Sequence, residues 1–195
     1  MTGTVLTQAL GTLVMPVITR LFDPEAFGVA VIFSSIAGIF GVIVCLRYEI
    51  AIMLPESNSE AATMVGVSLL SVILMTVLSI LIISFFSGSI VDILQAPQLK
   101  KYLWLVPMTL FFQGIFLALN YWNTRTKHFG RLSIVQVISS LAAQITKLAA
   151  GFSGFVSAGV LICAAVLGNF VSIVILGGQI WRDDKKLFFD YIRFT

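Results

Sequence analysis

Charge is the scarcest property of this sequence. Of 195 residues, 11% are charged and 58% are hydrophobic, and the mean hydropathy is +1.03. A soluble domain carries about 25% charged residues. A water-facing surface cannot be assembled from so small a supply, so the apolar excess has to face lipid. Histidine occurs once, at His128, and the two cysteines, Cys45 and Cys163, lie within apolar runs and form no CxxC pair. That argues against a disulfide framework, and without a His, Cys or carboxylate cluster a metal site has no support. The cysteines read instead as small buried hydrophobes. No water-facing loop is long enough to be a domain, and no catalytic constellation is present. The expectation is therefore a protein that is not an enzyme and carries no cofactor. A net charge of +3 and a pI near 9.0 would suit a nucleic-acid binder. The basic residues, however, sit in the turns between apolar runs. That is the pattern of membrane topology, with the lipid bilayer and no nucleic acid as partner. Met1–Thr4 has no charge ahead of the first apolar run and no small-residue cleavage site follows, which argues against a cleaved signal peptide. The run begins so close to Met1 that an earlier natural start, or a fragment, is expected.

What the sequence has in quantity is long apolar runs. A spanning helix needs about 20 mostly apolar residues, and six segments qualify: 3–21, 27–54, 61–86, 102–122, 132–152 and 157–180. The expected fold class is therefore an all-α membrane protein, a bundle of about six transmembrane helices. The breaks have physical causes. Asp23-Pro24-Glu25 places an N-cap, an N1 proline and a first-turn acid before the second helix. Pro55 closes that helix, and Ser57-Asn58-Ser59-Glu60 reads as a capping box for the third. Ala96-Pro97, the basic turn 123–131 and the glycine- and serine-rich hairpin 151–159 separate the rest.

Basic residues set the orientation. Arg125, Lys127, Arg131, Arg182, Lys185, Lys186, Arg193 and Arg47 fall on one side of a six-span bundle. Arg20, Lys100, Lys101 and Lys147 fall on or near the other. Eight against four places both termini in the cytoplasm by the positive-inside rule. Beyond Trp181 the chain turns charged, and then Leu187, Phe188, Tyr191 and Ile192 recur at helical spacing. Residues 182–195 thus read either as an amphipathic segment on the cytoplasmic membrane surface or as the frayed end of a truncated chain.

Polar side chains in hydrocarbon are costly, so their placement is informative. On the fifth helix Ser133, Gln136, Ser140, Gln144 and Lys147 recur at spacings of three and four, forming one stripe. Such a face serves either a water-filled cavity or hydrogen bonds between helices. Lys147 leans toward the cavity because a lysine needs water or an anion, although snorkelling from near the helix end would also satisfy it. The first helix carries Thr4, Gln8, Gly11, Thr12 and Thr19, with Pro16 removing a backbone bond to Thr12. The fourth carries Thr109, Gln113, Asn120 and Thr124, and the second a small-residue stripe of Ser34, Gly38, Gly41 and Cys45 leading to Glu49. Read as one helix, 27–54 is roughly 42 Å long at 1.5 Å per residue, against about 30 Å of hydrocarbon. That places Arg47 at the headgroups, by snorkelling or in contact with substrate, and Glu49 against a neighbouring helix.

Three stretches carry a family resemblance. These are Gly3-Thr4-Val5-Leu6-Thr7-Gln8, Ile18-Thr19-Arg20-Leu21-Phe22-Asp23-Pro24-Glu25-Ala26-Phe27-Gly28 and Leu46-Arg47-Tyr48-Glu49-Ile50-Ala51-Ile52-Met53-Leu54-Pro55. With Leu119-Asn120-Tyr121-Trp122-Asn123 and the basic turn after it, the chain resembles bacterial polysaccharide biosynthesis proteins of the O-antigen-flippase-like kind. Their superfamily also contains MATE exporters and the lipid II flippase. The resemblance implies two six-helix lobes around a central cavity in the bacterial inner membrane. It implies movement of a lipid-linked oligosaccharide, on a carrier of the undecaprenyl pyrophosphate type, by alternating access. Family members are about twice this length. The chain is thus similar to an N-terminal lobe, 1–181, with 182–195 leading to a second lobe missing from it. The substrate contacts expected are Lys147, Gln144, Gln8, Gln113, Asn120 and Arg47, since a pyrophosphate attracts cations and sugars need amide partners. A MATE-like exporter lobe and a structural membrane subunit without transport activity are the alternatives.

Overall fold

The computed structural model describes residues 2–183. The chain forms α1 (Thr2–Leu21), α2 (Pro24–Ile43), a single turn α3 (Tyr48–Ala51), α4 (Asn58–Ile93), a 3-10 turn over Pro97–Lys101, α5 (Leu105–Arg125), α6 (Phe129–Phe152) and α7 (Ala158–Asp183). Among the described residues six helices, all but α3, are long and apolar enough to cross a membrane. The fold is a helical membrane bundle, as composition and run length require. The tail expected over 182–195, with Lys185, Lys186, Leu187, Phe188, Tyr191, Ile192 and Arg193, lies outside the described residues from 184 onward.

The second helix differs from the continuous span 27–54. It starts at Pro24, with Asp23 as N-cap, and stops at Ile43. Leu46 and Arg47 then take left-handed conformations, with φ of 49° and 64°. Neither residue is glycine, so each carries a steric cost that the surrounding packing has to offset. The turn is closed by Leu46 N–H to the Ile43 carbonyl at 2.9 Å and Tyr48 N–H to the Cys45 carbonyl at 2.9 Å. At 20 residues, α2 is about 30 Å long and matches the hydrocarbon without a protruding end. Arg47 is exposed just past that end, whereas Glu49, two residues on, is folded back and buried.

The third span is longer than 61–86. Ser57 caps α4 by accepting the Glu60 N–H at 3.3 Å, and the helix then runs 36 residues to Ile93. Ser87-Gly88-Ser89 does not stop it. The break comes only at Gln95 (φ 49°) and at Ala96, whose backbone (φ −125°, ψ 75°) leaves the helical region ahead of Pro97. At about 54 Å, α4 exceeds the hydrocarbon thickness and has to tilt or protrude. Leu70, Ile73, Leu74, Val77 and Phe85 are exposed along its length, which is how a lipid-facing helix looks without its bilayer.

The main core lies between α2, α4, α5 and α7 and includes Phe33, Val44, Val72, Leu103, Leu110 and Ile162. A smaller cluster of Ile18, Phe22 and Leu161 attaches α1. Only 6% of the α1 and α6 spans is buried, against 39% for α5 and α7, so α1 and α6 form an uncovered flank. These two helices run parallel and touch along their length. Thr4 Oγ1 donates to Gln136 Oε1 at 3.4 Å, Gly11 faces Gln144, and Gly151 faces Leu21. A β-carbon on Gly151 would lie 2.9 Å from Leu21 Cδ1, so glycine permits the approach.

Candidate functional site

The polar stripe of α6 opens into two clefts. The larger, about 420 Å³, lies between α1, α2, α6 and α7. Lys147 and Gln144 line it from α6, Ser34 and Ser35 from α2, and Met15, Phe27 and Leu161 supply apolar wall. Lys147 is half-buried and has no hydrogen-bond or ion-pair partner among the described residues. Gln144 Oε1 is buried and likewise without a partner. Its Nε2 lies against Gly11, where a β-carbon would be 3.7 Å away. Ser34 and Ser35 donate to the Ala30 and Val31 carbonyls at 2.8 and 2.9 Å, which leaves their oxygens free to accept. The cleft therefore offers one ammonium, one amide and two hydroxyl oxygens on an otherwise apolar wall. Such a mixture suits an anionic headgroup with an apolar tail.

The second cleft, about 360 Å³, lies toward the middle of α6 between α5, α6 and α7. Gln136, Ser139 and Ser140 line it from α6, Asn169 and Ser172 from α7, Thr7 from α1 and Phe116 from α5. It contains no charged side chain. Ala165 borders both clefts.

The other residues singled out from the sequence lie elsewhere. Gln113 packs in the α2–α5 interface against Gly41, where a β-carbon would lie 2.5 Å from its Nε2. Asn120 is half-buried on α5 and accepts the Thr124 hydroxyl at 3.4 Å. Gln8 is exposed on the α1 flank, and its carbonyl accepts the Thr12 hydroxyl at 2.9 Å. Arg47 is exposed in the left-handed turn beyond α2. None of these four lines either cleft. The structure thus brings Lys147 and Gln144 together and leaves Gln113, Asn120, Gln8 and Arg47 apart from them.

Sequence reasoning missed Ser35, Phe116, Asn169 and Ser172. Asn169 and Ser172 did carry a signal, since they stand three apart in the otherwise apolar run 157–180 and so share a helix face. Phe116 is one of 16 phenylalanines and carried none. Among the described residues no group of His, Cys, Asp and Glu could hold a metal ion.

A family model described as polysaccharide biosynthesis protein matches residues 17–189 of the chain. No curated protein and no solved structure matches it.

Proposed function

The chain belongs to this family of polysaccharide biosynthesis proteins, and on that premise we propose that it is one lobe of a flippase for lipid-linked oligosaccharide. The carrier is of the undecaprenyl pyrophosphate type, and the membrane is the bacterial inner membrane, with both termini in the cytoplasm. The observation that carries this reading is Lys147, a cation without an acidic partner among the described residues, in a cleft inside a membrane bundle. A pyrophosphate is the ligand class such a cation favours, and in low dielectric the attraction is strong. Apolar residues on the same wall suit the first units of a polyprenyl tail. The polar face of α1, where Thr4, Gln8, Thr12 and Thr19 are exposed, cannot face lipid cheaply. A second lobe across a water-filled cavity would cover it and would supply the alternating access that transport needs. The protein transports rather than catalyses, and no cofactor enters the reading.

Orientation rests on the basic residues. At one end Arg125 joins the α3–α4 connection, donating to the Ile52, Glu56 and Ser57 carbonyls. At the other end Gln98 donates to Glu25 Oε1 at 2.6 Å. Among the described residues Arg47, Arg125, Lys127, Arg131 and Arg182 belong to the first of these ends and Arg20, Lys100 and Lys101 to the other, and by the positive-inside rule this balance supports the first as the cytoplasmic end. The test is complementation of a strain lacking its own O-antigen flippase by the protein at its native length. Restored surface glycan is the expected result. Normal membrane insertion without surface glycan, in a host making the matching glycan, would contradict the reading.

A further inference from the structure

We infer that the charge-free cleft between α5, α6 and α7 is a subsite for uncharged sugar residues, next to the headgroup cleft at Lys147. The inference rests on the flippase reading and deepens it. Four observations support it. The first is chemistry: the wall offers the amides of Gln136 and Asn169 and the hydroxyls of Ser140 and Ser172, with no charged group. Neutral sugars present hydroxyls that both donate and accept, and amides and hydroxyls match both roles. A carboxylate-bearing sugar would find no cation here.

The second observation is availability. Ser172 Oγ donates to its own helix at the Gly168 carbonyl, 3.0 Å away, and so keeps only accepting capacity. Ser140 and Asn169, by contrast, have no hydrogen-bond partner among the described residues. A polar group in a membrane bundle that does not bond a neighbouring helix has an unmet requirement, and in this cleft a ligand or water can meet it.

The third is shape. Phe116 places an aromatic ring on the α5 side of the cleft, giving an apolar face for the C–H face of a sugar ring. The volume of about 360 Å³ falls at the small end of ligand pockets, which run from about 300 to 1,000 Å³.

The fourth is register. Ser140 and Lys147 are seven residues apart on α6, two turns and about 10 Å along one face. The two clefts also share Ala165 as a border. A headgroup whose phosphate is bonded directly to a sugar can therefore reach both at once. Lys147 would hold the charged part and the α6–α7 cleft the neutral part.

The experiment measures binding to the protein at its native length in phospholipid nanodiscs. The probes are a polyprenyl pyrophosphate without sugar, the same carrier with N-acetylglucosamine, and the same carrier with glucuronic acid. The N-acetylglucosamine probe is expected to bind about tenfold tighter than the sugarless one. Asn169→Ala and Ser140→Ala should each reduce that advantage and leave the sugarless probe unchanged, which a misfolded variant would not do. Equal binding of the first two probes would overturn the sugar subsite while leaving the anion site at Lys147 intact. Tighter binding of the glucuronic acid probe than of N-acetylglucosamine would also overturn it. Failure of all three probes to bind would instead remove the flippase reading, and the subsite with it.

Discussion

Gln113 of α5 sits over the bare Cα of Gly41 on α2, so close that a β-carbon at position 41 would lie 2.5 Å from Nε2 and 2.9 Å from Cδ. The amide fills the space that the missing side chain leaves. Gly41→Ala should therefore push the glutamine aside, and Gly41→Val should force α2 and α5 apart. A cost of about 1–3 kcal/mol is expected for the valine variant, as for other overpacked cores. Thermal unfolding of the purified protein checks this, and adding Gln113→Ala to Gly41→Ala should recover part of the loss. If the two changes add without recovery, the pair does not pack as described.

Arg125 fastens the connection between α2 and α4. Its Nη1 donates to the Ile52 carbonyl at 3.1 Å, and its Nη2 reaches the Ser57 and Glu56 carbonyls at 3.3 and 3.4 Å. A hydrogen bond to a charged group contributes about 1.5–3 kcal/mol, and only a planar guanidinium can span these acceptors at once. Arg125→Lys should thus lower the melting temperature nearly as much as Arg125→Ala. A lysine variant as stable as the parent would show that charge alone suffices.

Glu49 is 2% exposed, and its Oε2 is buried without a partner among the described residues. Burying a carboxylate without compensation is costly, and a neutral side chain of the same shape avoids that cost. Glu49→Gln should therefore match or exceed the parent in thermal stability. A clear drop would mean that the carboxylate has a partner in the membrane.

Topology is checked by cysteine labelling in a background with Cys45 and Cys163 replaced by serine. Ser153 and Lys127 are both exposed, in turns at opposite ends of α6. Ser153→Cys should react with an impermeant reagent from outside the cell, and Lys127→Cys only after permeabilisation. The reverse pattern would invert the orientation.

Much of this architecture is legible in the sequence because lipid imposes one dominant rule, that each span be long and apolar. Ser57 starts α4 through its cap hydrogen bond and Pro24 opens α2, although the Asp23 side chain ahead of it makes no cap hydrogen bond. The stop of α2 was not legible. Nothing in Val44-Cys45-Leu46-Arg47 disfavours helix, and the left-handed turn is held by tertiary packing that buries Val44, Cys45 and Glu49. The extent of α4 was hidden because Ser87-Gly88-Ser89, a break signal in water, is tolerated in a long apolar helix. Of the larger cleft, Lys147 and Gln144 were legible from the spacing of the α6 stripe and the charge at its end. Which stripe opens into a cleft depends on helix neighbours: Gln113 has the same chemistry as Gln144, yet it faces Gly41 in a closed interface. Phe116 reaches the second cleft through α5–α6–α7 packing, which no local pattern encodes, and that same packing turns the shared face of Asn169 and Ser172 into a cleft wall.

The role of the ammonium in the larger cleft is measured most directly as surface glycan in cells whose native-length protein carries a Lys147 variant, with abundance followed by immunoblot. If the charge holds the carrier's phosphate, Lys147→Arg keeps much of the glycan. Lys147→Gln loses most of it at unchanged protein level, because the amide lacks the cation that the anion requires. Normal surface glycan with Lys147→Gln at normal abundance would show that Lys147 merely reaches for the membrane surface, and would contradict the account.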